Sequence, residues 1–209
     1  GVAAEVVIPG HQETVLPFFS HVSPPAPPRH RAAGARAYHR QLADVIADSG
    51  ARLLGVAVPG PCLDLDETVL ELEWVAAHGF VGVAPPRNID DPQLPPLFHS
   101  RYEPFWGTCA DTGLALVVHA GYGFPQGLAD GMAAMNTMAA AVGTEEMLRL
   151  STLSAPDVSE LRIDQFPEDH PFRTALVQPR RLFWQLMLSG VFDRYPGLKL
   201  VFTEIRADW

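Results

Sequence analysis

The chain has 209 residues, of which 47% are hydrophobic and 19% charged, with a formal net charge of −9. That composition is globular, and the chain is long enough for one domain with its own core. The acidic balance without a Lys/Arg cluster excludes a nucleic-acid partner, and no apolar run reaches the roughly 18 residues that cross a bilayer. Two lone cysteines, Cys62 and Cys109, suit a reduced, cytoplasmic protein, with a disulfide between them left open.

In chain order, the first apolar run is Val2 to Ile8, stopping at Pro9-Gly10-His11. A proline-rich loop through Ser23 to Pro28 follows, either a surface connection or a lid. The pattern then predicts an amphipathic helix from about His30 to Asp48, with Ala35, Tyr38, Leu42, Val45 and Ile46 on one face and Gly50 as its exit. The second run, Leu53 to Val58, stops at Pro59-Gly60-Pro61, and Asp64 or Asp66 caps a helix that Gly79 ends. The third run, Phe80 to Ala84, stops at Pro85-Pro86-Arg87-Asn88 and leads to a short helix around Pro104 to Asp111, ended by Gly113.

The fourth run, Leu114-Ala-Leu-Val-Val-His119, is continuously apolar, as a strand buried on both faces is, and stops at a histidine before Gly121. Beyond it, Ala129 to Ala141 forms helix with Met132, Met135 and Met138 at helical spacing, suited to core packing or a homodimer contact. Leu176 to Phe192 reads as a long amphipathic helix with Asp193 to Gly197 as its exit. The fifth run, Leu198 to Phe202, stops at Thr203-Glu204.

Helix and strand alternate strictly, with glycines at 50, 79, 113 and 197 just before strands. That alternation implies βαβ units, a parallel sheet and an α/β fold. A (β/α)8 barrel takes roughly 250 residues, so five strands in 209 residues imply a single barrel domain lacking members at its ends. In such a fold the residue where a strand stops lies at the mouth, where chemistry is done. His119 there is a metal ligand, a general base or a hydrogen-bonded structural group. No phosphate-binding glycine loop and no Gly-x-Ser-x-Gly elbow is present.

Taken together, Gly79 to Pro86, Tyr102-Glu-Pro-Phe-Trp106, Leu116-Val-Val-His-Ala-Gly121 and Gly190 to Glu204 with Ala207-Asp-Trp209 resemble the amidohydrolase-related family. The relevant branch includes aminocarboxymuconate-semialdehyde and resorcylate decarboxylases. The resemblance implies a distorted (β/α)8 TIM-type barrel with one divalent metal, zinc or else manganese. Its family ligands are a His-x-His pair ending the first strand, a histidine ending the fifth and an aspartate ending the eighth. His119 matches the fifth-strand ligand, so the chain carries about strands two to six. The sequence has no His-x-His and no residue beyond Trp209 to supply the aspartate, and the economical expectation is a fragment of a longer protein.

The resemblance places Glu204 where decarboxylases of the family carry a catalytic histidine. A carboxylate there serves as general acid or base, with an ion pair to Arg206 as its plain alternative, and its presence inclines the expectation towards hydrolysis. Arg87, Arg206 and His11 lie just past predicted strand ends and would meet a substrate carboxylate, and Tyr122 would wall an aromatic substrate. The expected activity is a metal-dependent hydrolase or non-oxidative carboxy-lyase acting on a small carboxylated, cyclic or aromatic molecule. The alternatives are a metal-independent lactonase-like enzyme and a non-catalytic barrel remnant.

Overall fold

A computed structural model of the chain describes residues 1–9, 26–87, 93–119 and 171–203, the side chains of 171–179 apart. The expected Met-bearing helix of 129–141 lies outside the described residues, as do His11, Tyr122, Glu204 and Arg206. The described elements run β1 (Glu5–Val7), α1 (Pro28–Asp48), β2 (Leu53–Ala57), α2 (Leu65–Ala77), β3 (Phe80–Val83), α3 (Glu103–Thr112), β4 (Ala115–His119), α4 (Pro171–Leu188), α5 (Val191–Arg194) and β5 (Leu200–Thr203).

All strand pairs are parallel, and the sheet order is the chain order, β1-β2-β3-β4-β5. A parallel sheet in sequential order with a helix between successive strands is an arc of a βα barrel, here an incomplete one. A single core packs α1 through Leu42, Ala43 and Ile46, α2 through Leu72 and Val75, α3 through Phe105 and Trp106, and α4 through Leu182 and Leu186 against one face of that sheet. These side chains follow the helical period of three and four, so each helix lays one stripe on the strands.

Local chemistry explains the element ends. Asp64 caps α2, its carboxylate accepting from the Glu67 backbone N–H at 3.1 Å. Gly113, at φ 78, takes the left-handed turn that ends α3 and lets β4 start two residues later. Between β2 and β3 the register slips by one, Gly55 opposing Phe80 and Val56 opposing Gly82, so Val81 is the extra residue.

Three expectations need correction. On α1, Val45 is 47% exposed, and the buried stripe is Ala35, His39, Leu42, Ala43 and Ile46. The histidine belongs to the core face because both of its ring nitrogens find partners there. The long helix expected to Phe192 stops at Leu188: Gly190, at φ 71, breaks it and α5 starts afresh. The first apolar run yields only a three-residue strand with Val6 half exposed, because β1 has a neighbour on one side alone among the described residues.

Candidate active site

β4 is buried through its middle, as its continuous apolar run requires: Leu116 and Val118 are fully buried and Val117 nearly so. Alternation along a strand separates its faces. Leu116 and Val118 belong to the helix-side core, and their register partners Leu200 and Phe202 pack against the same core. Val117 and His119, paired with Val201 and Thr203, therefore take the opposite face, which no helix among the described residues covers. On that face Gly82 of β3 lies beside Val117: a Cβ there would stand 2.6 Å from Val117 Cγ2 and 3.0 Å from the Ala115 carbonyl oxygen.

His119 and Thr203 are thus the last ladder pair of β4 and β5, at the carboxyl end of the sheet and on its inner face. Beneath them Val117 and Val201 form an apolar floor, with Val201 42% exposed. Thr203 Oγ1 is buried and has no hydrogen-bond partner among the described residues. Sequence reasoning passed over Thr203 as a strand-stop residue beside Glu204, although a threonine closing an apolar strand was a usable signal.

Arg87 lies four residues past the end of β3, half-buried, at the same edge of the sheet as His119. Both residues have interacting neighbours. The structure therefore brings two of the six sequence candidates to one edge; His11, Tyr122, Glu204 and Arg206 are outside the described residues. Among the described residues no three His, Cys, Asp or Glu side chains gather as a metal site would need. His119 is a donor of the right kind in the right place, but one imidazole does not make a catalytic zinc site, which uses three protein ligands.

The neighbouring rim is braced rather than reactive. The loop after β2 carries Cys62, and the guanidinium of Arg101, in the turn before α3, donates to the carbonyls of Cys62 (3.2 Å) and Leu63. Burial pushes the thiols of both Cys62 and Cys109 up to about 12, so neither is a nucleophile at neutral pH. Both are free, which closes the open question of a disulfide. A cavity of about 160 Å³ beside this loop, lined by Arg36, Val58, Pro59, Cys62, Thr68 and Glu71, lies between the starts of α1 and α2. No helix among the described residues is long and apolar enough to cross a membrane.

The amidohydrolase family model matches residues 15–205. Among solved structures, 2,6-dihydroxybenzoate decarboxylase complexed with 2,6-dihydroxybenzoate superposes with a TM-score of 0.55 at 21% identity, over 89% of this chain and 48% of that one. 5-Carboxyvanillate decarboxylase from Sphingomonas paucimobilis gives 0.52 at 16% identity, over 85% and 42%. Dihydroxybenzoic acid decarboxylase from Polaromonas sp. JS666, with bound manganese and the inhibitor 2-nitroresorcinol, gives 0.51 at 23% identity, over 89% and 47%. The chain spans about half the length of these structures. No protein of curated function matches it in sequence.

Proposed function

The chain belongs to the amidohydrolase family, and from that premise we propose that the whole protein is a metal-assisted enzyme that decarboxylates a small aromatic or cyclic carboxylate without an oxidant. The observation carrying the proposal is His119 at the carboxyl end of β4, on the face away from the described helices and over an apolar floor of Val117 and Val201. The decarboxylase identity of the three structural neighbours supports the reaction type.

In this reading His119 supplies one nitrogen to a divalent ion, zinc or manganese, completed by ligands beyond the described residues. Such an ion, when bound, polarises a substrate carboxylate or lowers the pKa of a water towards roughly 7. Arg87 and Arg206 would hold substrate oxygens by charge-assisted hydrogen bonds, with His11 as a further substrate contact and Tyr122 as a wall for the ring. Glu204, as its acid form, delivers a proton to the ring carbon that receives the electron pair as CO₂ leaves. That role needs its pKa raised, as burial beside an apolar wall does.

A second reading rests on Glu204 itself. An ionised carboxylate at this position accepts a proton from an attacking water, which favours hydrolysis. The partner in either case is a small carboxylate.

The test uses the full-length protein. Release of CO₂ from 2,6-dihydroxybenzoate, abolished by chelation and restored by zinc or manganese, supports the decarboxylase reading. Turnover of lactones or cyclic amides with the same metal dependence supports the hydrolytic one. Activity undiminished in protein shown to be metal-free points to a metal-independent lactonase-like enzyme. A protein that neither binds nor turns over any carboxylate is a non-catalytic barrel.

A further inference from the structure

Thr203 carries a buried hydroxyl that nothing in the described protein uses. A hydroxyl buried without a partner is a net cost to folding, and native structures keep few of them. Valine has nearly the same shape, suits a strand at least as well and carries no such cost. The hydroxyl therefore has no role in holding β5 to β4, which the ladder pairs Leu116 with Leu200 and Val118 with Phe202 already do.

Its place suggests its role. Thr203 is the register partner of His119, on the same face and at the carboxyl end of the sheet. Adjacent parallel strands lie about 4.8 Å apart, so a group engaged at His119 reaches Thr203 with an atom or two to spare. A planar carboxylate fits that span, with one oxygen on the His119 side of the site and the other towards the Thr203 O–H. Below them the half-exposed Val201 and the neighbouring Val117 present apolar surface to the ring that bears the carboxylate.

Resting on the carboxylate reading above, we propose that the Thr203 hydroxyl is a substrate-binding group, donating a hydrogen bond to the substrate carboxylate oxygen that lies on the β5 side of the site His119 supplies. The role is recognition, and it adds a specificity residue to the site.

The experiment is calorimetric titration of the metal-loaded full-length protein with 2,6-dihydroxybenzoate and with resorcinol, the same ring without its carboxylate. In Thr203→Val the carboxylate should bind at least about tenfold more weakly, the effect of one hydrogen bond to a charged group, while resorcinol binds as to the wild type. The unliganded variant should melt at the wild-type temperature or above it, since an unpartnered hydroxyl has been removed. Thr203→Ser should keep carboxylate affinity to within a few-fold, and Thr203→Ala makes the same deletion should the valine not fit. Unchanged carboxylate affinity in the valine and alanine variants, or equal loss of both ligands, overturns the proposal while leaving the carboxylate reading standing. A wild-type protein that binds neither ligand overturns that reading, and this one with it.

Discussion

His39 joins the middle of α1 to the end of β2: its Nε2 accepts a hydrogen bond from the Val58 backbone N–H at 3.1 Å. An N–H can only donate, so the ring proton sits on Nδ1, which donates to Glu71 Oε1 at 2.7 Å. One neutral imidazole, 1% exposed, thereby ties a helix, a strand end and α2 together where the chain turns into the rim loop. His39→Ala removes both bonds and leaves a cavity, and it should destabilise the protein by about 3 kcal/mol. Urea unfolding measures this; a loss under 1 kcal/mol would mean that the tie carries no weight.

Glu71 makes the same assembly sensitive to acid. Burial by itself would raise its carboxyl, but hydrogen bonds from His39 and from Arg40, at 2.6 and 2.9 Å, outweigh that and hold it down to about 2. A carboxyl whose folded value lies below its ordinary 4.5 adds stability that is complete above pH 4.5. That contribution is lost as pH falls from there towards 2, and its full size is on the order of 3 kcal/mol. Thermal melts at steps between pH 6 and 2.5 should show a fall that Glu71→Gln flattens. An equally steep fall in the variant would assign the acid sensitivity to other carboxyls.

The strands, the Asp64 cap and the strand-end position of His119 were legible because each depends on local pattern: a short apolar run, a capping side chain, a glycine turn. The packed face of α1 was not. His39 reads as polar in sequence and enters the core only because Glu71 and Val58, far along the chain, satisfy both its nitrogens. Thr203 was hidden for the converse reason. The missing partner of its hydroxyl is a property of the folded surroundings, and its pairing with His119 depends on a register set across a long intervening stretch. Gly190 was misjudged because an amphipathic pattern continues through it, whereas the backbone turns left-handed there.

The two thiols should be silent to alkylation. Cys62 and Cys109 are each 1% exposed or less, with thiols pushed up to about 12 by burial. Iodoacetamide at pH 8 should leave the peptides carrying them unmodified in the native protein and label both fully in guanidinium, read by mass spectrometry. Rapid native labelling of the Cys62 peptide would show that the loop after β2 opens.

Gly82 offers the sharpest test of the inner face. Val117, two residues before His119 on β4, occupies the space that a side chain at position 82 would take, 2.6 Å from the site of its Cβ. The Ala115 carbonyl, 3.0 Å away, is backbone and yields little. Gly82→Ala should therefore cost about 1–3 kcal/mol by overpacking. If the clash is with Val117, shrinking that residue should relieve it: Gly82→Ala with Val117→Ala should lose clearly less than the sum of the two single variants. Neighbours sharing one space couple in this way, by about 0.5–3 kcal/mol in a double-mutant cycle. Strict additivity in thermal unfolding would place the two side chains on different faces, and His119 would then no longer share a face with the β3 glycine.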